Sequence, residues 1–267
     1  MKLCMMSCML EGLTPQEIVD IAVKCDMPAI DWIGLHGCQA KYLREIAENA
    51  GLVIAAHTML KTKFLKGEKD YLDDFKRSLD DAVTLGAPVM MLPPFPRYVQ
   101  KSMEDDRKLW TEYYAQAVPL SLAAGVTLTI ESTGYVNSPI TTGEEVLEVL
   151  KQVPGLKLTF DHGNVATADD PDKAYELLKE FIVHVHLKDW KISDAPTPES
   201  TQESLKRCGK YYDNIIIGEG DMDLKRFWDI TDANTRSCYV NLETRDFTNT
   251  MTPLAAMQKV ANYLRDW

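Results

Sequence analysis

Eight short apolar runs, at residues 2–8, 29–35, 52–57, 87–92, 126–131, 156–161, 182–187 and 238–243, alternate with amphipathic segments along the whole chain. Each run has the length of a strand. The segments between them carry apolar residues at helical spacing, as Leu72, Phe75, Leu79 and Ala82 do. Strand–helix units in series make parallel sheets, because the crossover helix returns the chain to the same end of the next strand. The repeat is roughly 30 residues, and 267 residues is near the ~250 of a barrel built from eight such units. A doubly wound open sheet meets the alternation too, but the turn LEGLTP after the first run lacks the glycine pattern of that fold. The expected fold class is therefore α/β, a (β/α)8 TIM barrel with residues 1–267 as a single domain.

Helix boundaries are legible in several places. TPQE places Thr14 as an N-cap, Pro15 in the first turn and Glu17 to close a capping box, and TGEE repeats the box with Thr142 and Glu145. DDP at 169–171 and TP at 252–253 are further starts, and NAG at 49–51 is a stop. Pro119 predicts a kink or break within 103–124. Three connections, 58–69, 93–102 and 189–223, are longer than a strand-to-helix turn needs. All three follow strand C-termini, the side on which barrel sites lie, and so are candidate lids.

A net charge of −11 argues against a nucleic-acid partner, which needs a cationic surface. The six cysteines form no CxxC pair and read as reduced thiols, which points to a cytoplasmic location. The opening MKLCMMSCML has one lysine and no small-residue cleavage site after it, so it reads as a buried first strand. No run approaches the ~18 apolar residues of a membrane span, so no membrane partner is expected.

Four strands end in a potential metal ligand: VTLTIE in Glu131, LKLTFD in Asp161, IVHVH in His186 and CYVNLE in Glu243. Side chains alternate across a strand, so each tip fixes its own row. Glu131 shares a face with Thr127 and Thr129, Asp161 with Lys157 and Thr159, His186 with His184, and Glu243 with Tyr239 and Asn241. The opposite face is apolar every time. Taken alone, a strand-end carboxylate is more often a solvated charge, and a histidine in an apolar run more often a bonded core residue. Four tips of one parity on strands five to eight favour a site. Three carboxylates and an imidazole on one rim repel unless a positive charge lies among them, and a divalent cation meets that requirement.

Around these tips, His184 lies one layer deeper and reads as support for His186. His57, Lys188 and Arg245 are candidate substrate contacts near the same rim, as are Lys61, Lys63 and Arg97 for an anion. Asp31 faces either the site or the barrel interior, and His36 and His162 are loop-adjacent. Phe95, Tyr98 and Trp190 are aromatics that suit the face of a sugar or ordinary loop packing.

TIES, FDHGN, HVHLKD, IGEGDMD and NLET, in this order and spacing, resemble the sugar phosphate isomerase/epimerase superfamily of xylose isomerase-like barrels. The group includes ketose 3-epimerases, hydroxypyruvate isomerase, inosose dehydratase and, more distantly, endonuclease IV. The resemblance spans essentially the whole chain. It implies one divalent ion, Mn2+, Mg2+ or Co2+ in most relatives and Zn2+ in some, held by Glu131, Asp161, His186 and Glu243. It also implies Glu131 and Glu243 as an acid/base pair. Two positions depart from the pattern. Ketose 3-epimerases and endonuclease IV carry a histidine three residues after the strand-six aspartate, where this chain has Asn164, able to bond a substrate hydroxyl. The epimerases' arginine six residues after the metal histidine falls on Ile192.

The expected function is isomerisation or epimerisation of a small sugar, keto-sugar or sugar phosphate by proton transfer next to a carbonyl, with the ion stabilising the enediolate. A dehydratase acting on an inosose or another keto-sugar starts with the same step. A metal-dependent hydrolase is disfavoured by the acidic charge and the few histidines, and a catalytically silent barrel by the intact ligand set. The expected partner is a small carbohydrate; self-association into a homo-oligomer is left open.

Overall fold

A computed structural model of the chain describes residues 1–59, 62–99 and 102–267. Eight parallel strands close a barrel: β1 Lys2–Met6, β2 Ala29–Ile33, β3 Val53–Thr58, β4 Val89–Met91, β5 Thr127–Ile130, β6 Lys157–Asp161, β7 Ile182–Leu187 and, at the far end of the chain, β10 Tyr239–Leu242. Neighbours follow sequence order from β1 to β7, and β10 closes the ring between β7 and β1. The remaining strands, β8 Asp189–Ser193 and β9 Tyr211–Ile215, form an antiparallel hairpin over the barrel mouth, within the connection expected to act as a lid.

The two-faced strands explain why the barrel holds together. Leu128, Ile130, Leu158, Phe160, Val185, Leu187, Val240 and Leu242 are all buried against the helical layer and belong to one large core. Each such side chain contributes about 1.5–3 kcal/mol by leaving water. The inner rows are polar and bond to one another, with Thr129 Oγ1 and Thr159 Oγ1 2.8 Å apart.

The sequence-read caps form as expected. Thr14 and Glu17 make a capping box on the helix Pro15–Lys24, and Thr142 and Glu145 make another on Gly143–Gln152. Asp170 and Thr252 cap the helices Pro171–Leu178 and Pro253–Leu264. Pro119 does not break its helix, which runs without interruption from Met103 to Ala123. No helix among the described residues is long and apolar enough to cross a membrane.

Two ladders among the described residues depart from simple register, β2–β3 and β6–β7, and the first redirects a residue singled out in the sequence. Between β2 and β3 the register shifts: Ile30 pairs with Ile54, but Asp31 pairs with Ala56. The extra residue, Ala55, flips the parity of everything beyond it. Trp32 and His57 therefore share the outer face, and Asp31 and Thr58 turn inward.

Candidate metal centre

The four strand-end ligands belong to adjacent strands of the barrel, β5, β6, β7 and β10. Asp161 and Asn241 both pair with His186 across the ladder, and Glu243 N–H donates to Leu187 O at 2.9 Å, extending β10 to the same height. One donor atom from each of Glu131, Asp161, His186 and Glu243 lies within 4.8 Å of all the others. Ligands on opposite sides of an ion bonded at ~2.0–2.2 Å are about 4.3 Å apart, so the set is of the right size.

Three of the donor atoms also lack an aligned hydrogen bond, although Asp161 Oδ2 has the Lys188 ammonium 3.1 Å away. Glu131 Oε1, Asp161 Oδ2 and His186 Nδ1 are buried and make no aligned hydrogen bond, although His186 Nδ1 lies 2.6 Å from Glu131 Oε1. Buried polar atoms without partners are costly. Three of them converging on one point fit a divalent ion there.

Below this ring sits a supporting layer. Asp31 is wholly buried; its Oδ2 lies 3.7 Å from both His184 Nε2 and His186 Nε2 and accepts from Asn241 Nδ2 at 2.9 Å. Asn241 Nδ2 is also 3.2 Å from His186 Nε2. His186 thus turns Nδ1 to the ligands, while Nε2 faces the Asp31 carboxylate and the Asn241 amide, which orient the ring from behind. Burial opposes ionisation of Asp31, yet the neighbouring imidazoles of His184 and His186 hold its pKa down to about 2. His184 contributes to this layer, where one donor atom from each of Asp31, His184 and His186 also lies within 4.8 Å of the others.

Lys188 stands beside the ring. Its Nζ donates to Glu243 Oε1 at 2.6 Å and Asn164 Oδ1 at 3.1 Å, and lies 3.1 Å from Asp161 Oδ2. Burial resists the charge of Glu243, but Lys188 and His186 hold its pKa below the usual range. Asp161 is pushed up to about 7 by burial and by Glu243 and Glu131, against the pull of Lys188 and His186. Its other oxygen, Oδ1, accepts from Asn164 N–H at 2.9 Å and caps the short helix His162–Ala166. A side chain at Gly163 would overlap Lys188 Cγ and lie 3.0 Å from Trp190 Nε1, so glycine there gives the lysine its room.

The motifs HVHLKD and IGEGDMD are joined by one carboxylate. Asp189 Oδ2 accepts from Gly218 and Gly220 N–H, each at 3.0 Å, and Oδ1 accepts from Trp190 and Met222 N–H at 2.9 and 3.2 Å. The loop that follows β9 is thereby tied to the start of β8, just past the strand that carries His186. Between hairpin and barrel a cavity of about 270 Å³ is lined by Glu131, His186, Glu243, Asn164 and Lys188, with Phe95, Tyr135 and Trp190 among its aromatic walls.

Other residues singled out in the sequence lie elsewhere. His57, expected at the rim, is turned outward by the β3 irregularity: Nδ1–H donates to Trp32 O at 2.9 Å and Nε2 accepts from Ser78 Oγ at 3.3 Å. Arg245, two residues past Glu243, swings away from the cavity to Glu11 and the Phe247 ring, its side chain 44% exposed. Arg97 is committed to Phe64 O and Asp106, and Lys63 to Asp70. Lys61 lies outside the described residues. His36 bonds Ser7, His162 stacks on Phe227 with ring centroids 4.6 Å apart, and Tyr98 is exposed away from the cavity. Sequence reasoning passed over Lys206, Tyr135 and Thr58, all of which line the cavity.

The family described as xylose isomerase-like TIM barrel matches residues 19–267. Solved structures share the fold at low identity. The IolI protein with a bound zinc atom superposes with a TM-score of 0.80 at 17% identity, over 100% of this chain and 97% of that one. The probable 3-DHS dehydratase AsbF from Bacillus anthracis gives 0.75 at 15%, over 99% of each chain. The 3-keto-D-glucoside 4-epimerase YcjR from E. coli gives 0.73 at 13%, over 100% of each. No curated protein matches the chain in sequence.

Proposed function

The chain belongs to the xylose isomerase-like TIM barrel family, and on that premise we propose that it is a divalent-metal-dependent isomerase or epimerase of a small sugar, keto-sugar or sugar phosphate. The observation that carries this reading is the convergence of Glu131, Asp161, His186 and Glu243 on one point at the floor of a small cavity. At about 270 Å³ the cavity falls below the ~300–1,000 Å³ of pockets for drug-sized ligands, which favours a substrate of sugar size. Mn2+, Mg2+, Co2+ and Zn2+ all suit three oxygens and one nitrogen, and the zinc of the IolI structure supports the last.

An ion held by these four residues would polarise a carbonyl oxygen and acidify the neighbouring C–H. The chain supplies the proton traffic. Glu243, held ionised by Lys188 and His186, accepts the proton from the carbon next to the carbonyl; either Glu243 returns that proton to the adjacent carbon, or Glu131, having taken a proton from solvent, delivers its own to the opposite face. Lys188 and Asn164 line the cavity bonded to each other, and Lys188 holds Glu243 and Asp161 in place beside the substrate position. Phe95, Tyr135 and Trp190 shield the site from water, which strengthens each of these interactions.

A dehydratase is the second reading. It is in keeping with the positive charge of Lys188 beside Glu243, near where a departing β-hydroxyl would lie, and with the likeness to the probable dehydratase AsbF. A cytoplasmic setting is in keeping with six free cysteines. The test is deuterium wash-in from D2O into a panel of ketoses and inososes, followed by NMR. Incorporation with the carbon skeleton and hydroxyls intact supports isomerase or epimerase chemistry, and loss of water to an enone supports the dehydratase. Absence of exchange with every member of a broad panel counts against both.

A further inference from the structure

We propose that the hairpin wall of the cavity is a subsite for an anionic group on the substrate, a carboxylate or a phosphate, with Lys206 as its counter-ion. This rests on the cavity being the carbohydrate site proposed above, and it specifies the charge of what enters. Lys206 lies in the connection between β8 and β9, lines the cavity and is only 7% exposed. Its Nζ sits over two ring faces, 5.2 Å from the Trp190 centroid and 5.9 Å from that of Tyr135. Among the described residues no carboxylate comes within ion-pair distance of it.

The contrast with Lys188 gives this weight. Lys188 Nζ lies 5.3 Å from the same Trp190 ring, but its charge is spent on Glu243 and Asp161. Among the described residues Lys206 Nζ has aromatic faces beside it and no ion-pair partner, and such faces offset the hydration an ammonium gives up in a cavity only in part. An anion entering the cavity completes the shell.

The position is also built in advance of any ligand. Lys206 N–H donates to Lys210 O at 2.9 Å, and Gly209 N–H donates to Lys206 O at 3.0 Å, closing the turn. The next residue, Arg207, forks onto Glu145 with bonds of 2.8 and 2.9 Å, which pins the turn to the barrel's helical layer. A pre-placed cation loses little freedom on binding. Burial and then the charge of Lys188 lower the Lys206 pKa to about 8, against the opposing pull of Glu203, Asp213 and Cys208. It is thus charged at neutral pH and reactive as an amine slightly above it.

The test is reductive methylation of Lys206 in the full chain, followed by mass spectrometry, alone and with D-fructose, D-fructuronate or D-fructose 6-phosphate. These three differ only at C6, which bears a hydroxyl, a carboxylate or a phosphate. The expected result is that one or both anionic ketoses slow labelling roughly tenfold or more, the scale of a charge-assisted hydrogen bond, while D-fructose leaves it nearly unchanged. Protection by one anion and not the other identifies the group. In calorimetry, Lys206→Met should weaken the protective anion by a similar factor and leave D-fructose unaffected, and Lys206→Arg should keep most of the preference. No protection, equal protection by all three, or an anion preference that survives in a folded Lys206→Met variant overturns the inference. Isotope exchange that persists without anion preference removes this inference alone, and anion protection without exchange on any substrate removes the proposed reaction alone.

Discussion

His186 Nδ1 lies 2.6 Å from Glu131 Oε1 without the alignment of a hydrogen bond, while the opposite edge of the ring faces Asp31. The imidazole is therefore oriented from behind and left open in front. Asp31→Asn keeps the shape of the support but removes its charge. It should weaken Mn2+ or Zn2+ binding about 10–100-fold, the usual effect of losing a ligand's hydrogen-bond partner. Calorimetric titration of both chains checks this, and equal affinities would show that Asp31 does not act through His186.

Glu131 and Glu243 are given two tasks, holding the ion and moving the proton. Glutamine keeps an oxygen for the first and abolishes the second. Glu131→Gln and Glu243→Gln should each lower deuterium exchange roughly 10²–10⁴-fold when measured with saturating metal. Exchange that survives in either variant at the wild-type rate removes that residue from the acid/base pair.

Gly220 is fixed by its surroundings. A Cβ there would overlap Asp189 Oδ1 and lie 2.7 Å from Trp190 O, at the point where Asp189 gathers the IGEGDMD loop. Gly220→Ala should cost about 1–3 kcal/mol, as overpacking does, because the atoms in the way are backbone and a fully bonded carboxylate. The expected sign is a lower melting temperature, and an unchanged melt would mean that the loop has room to shift.

Glu145 gives a pH signature. Burial opposes its charge, but Arg207 and the N–H groups of Thr141 and Thr142 lower its pKa from 4.5 to about 2. A carboxylate depressed in the folded state adds stability above its unfolded pKa, and that stability is lost as pH falls from about 4.5 toward 2. Glu145→Gln should therefore cost roughly 2–3 kcal/mol at pH 7, with the gap from wild type narrowing below pH 4.5. Melting curves at pH 7 and pH 4 make the comparison, and a gap that stays constant or widens contradicts the assignment.

The barrel and the four tips were legible because both rest on local periodicity. Glu131, Asp161, His186 and Glu243 each end a run whose other face is apolar, so their direction could be read without knowing the neighbours. His57 could not be read that way. VIAAHT is apolar on both faces, and the extra residue Ala55 that turns His57 outward shows only in the pairing of β3 with β2. Arg245 failed for a different reason: strand alternation ends at the rim, and parity says nothing of a turn beyond it. The hairpin was hidden because DWKIS and YYDNI pair across a long connection, and Lys206 with it, since its burial depends on Trp190 and Tyr135 closing over it.

The central claim is that the four tips bind one ion. Equilibrium dialysis against Mn2+ and Zn2+, with metal counted by elemental analysis, tests it directly on the wild-type chain and an Asp161→Ala/His186→Ala variant. The account predicts close to one ion per wild-type chain and a loss of binding in the variant, as expected when half of a four-ligand set is gone. No bound ion in the wild type, or undiminished binding in a folded variant, would contradict it.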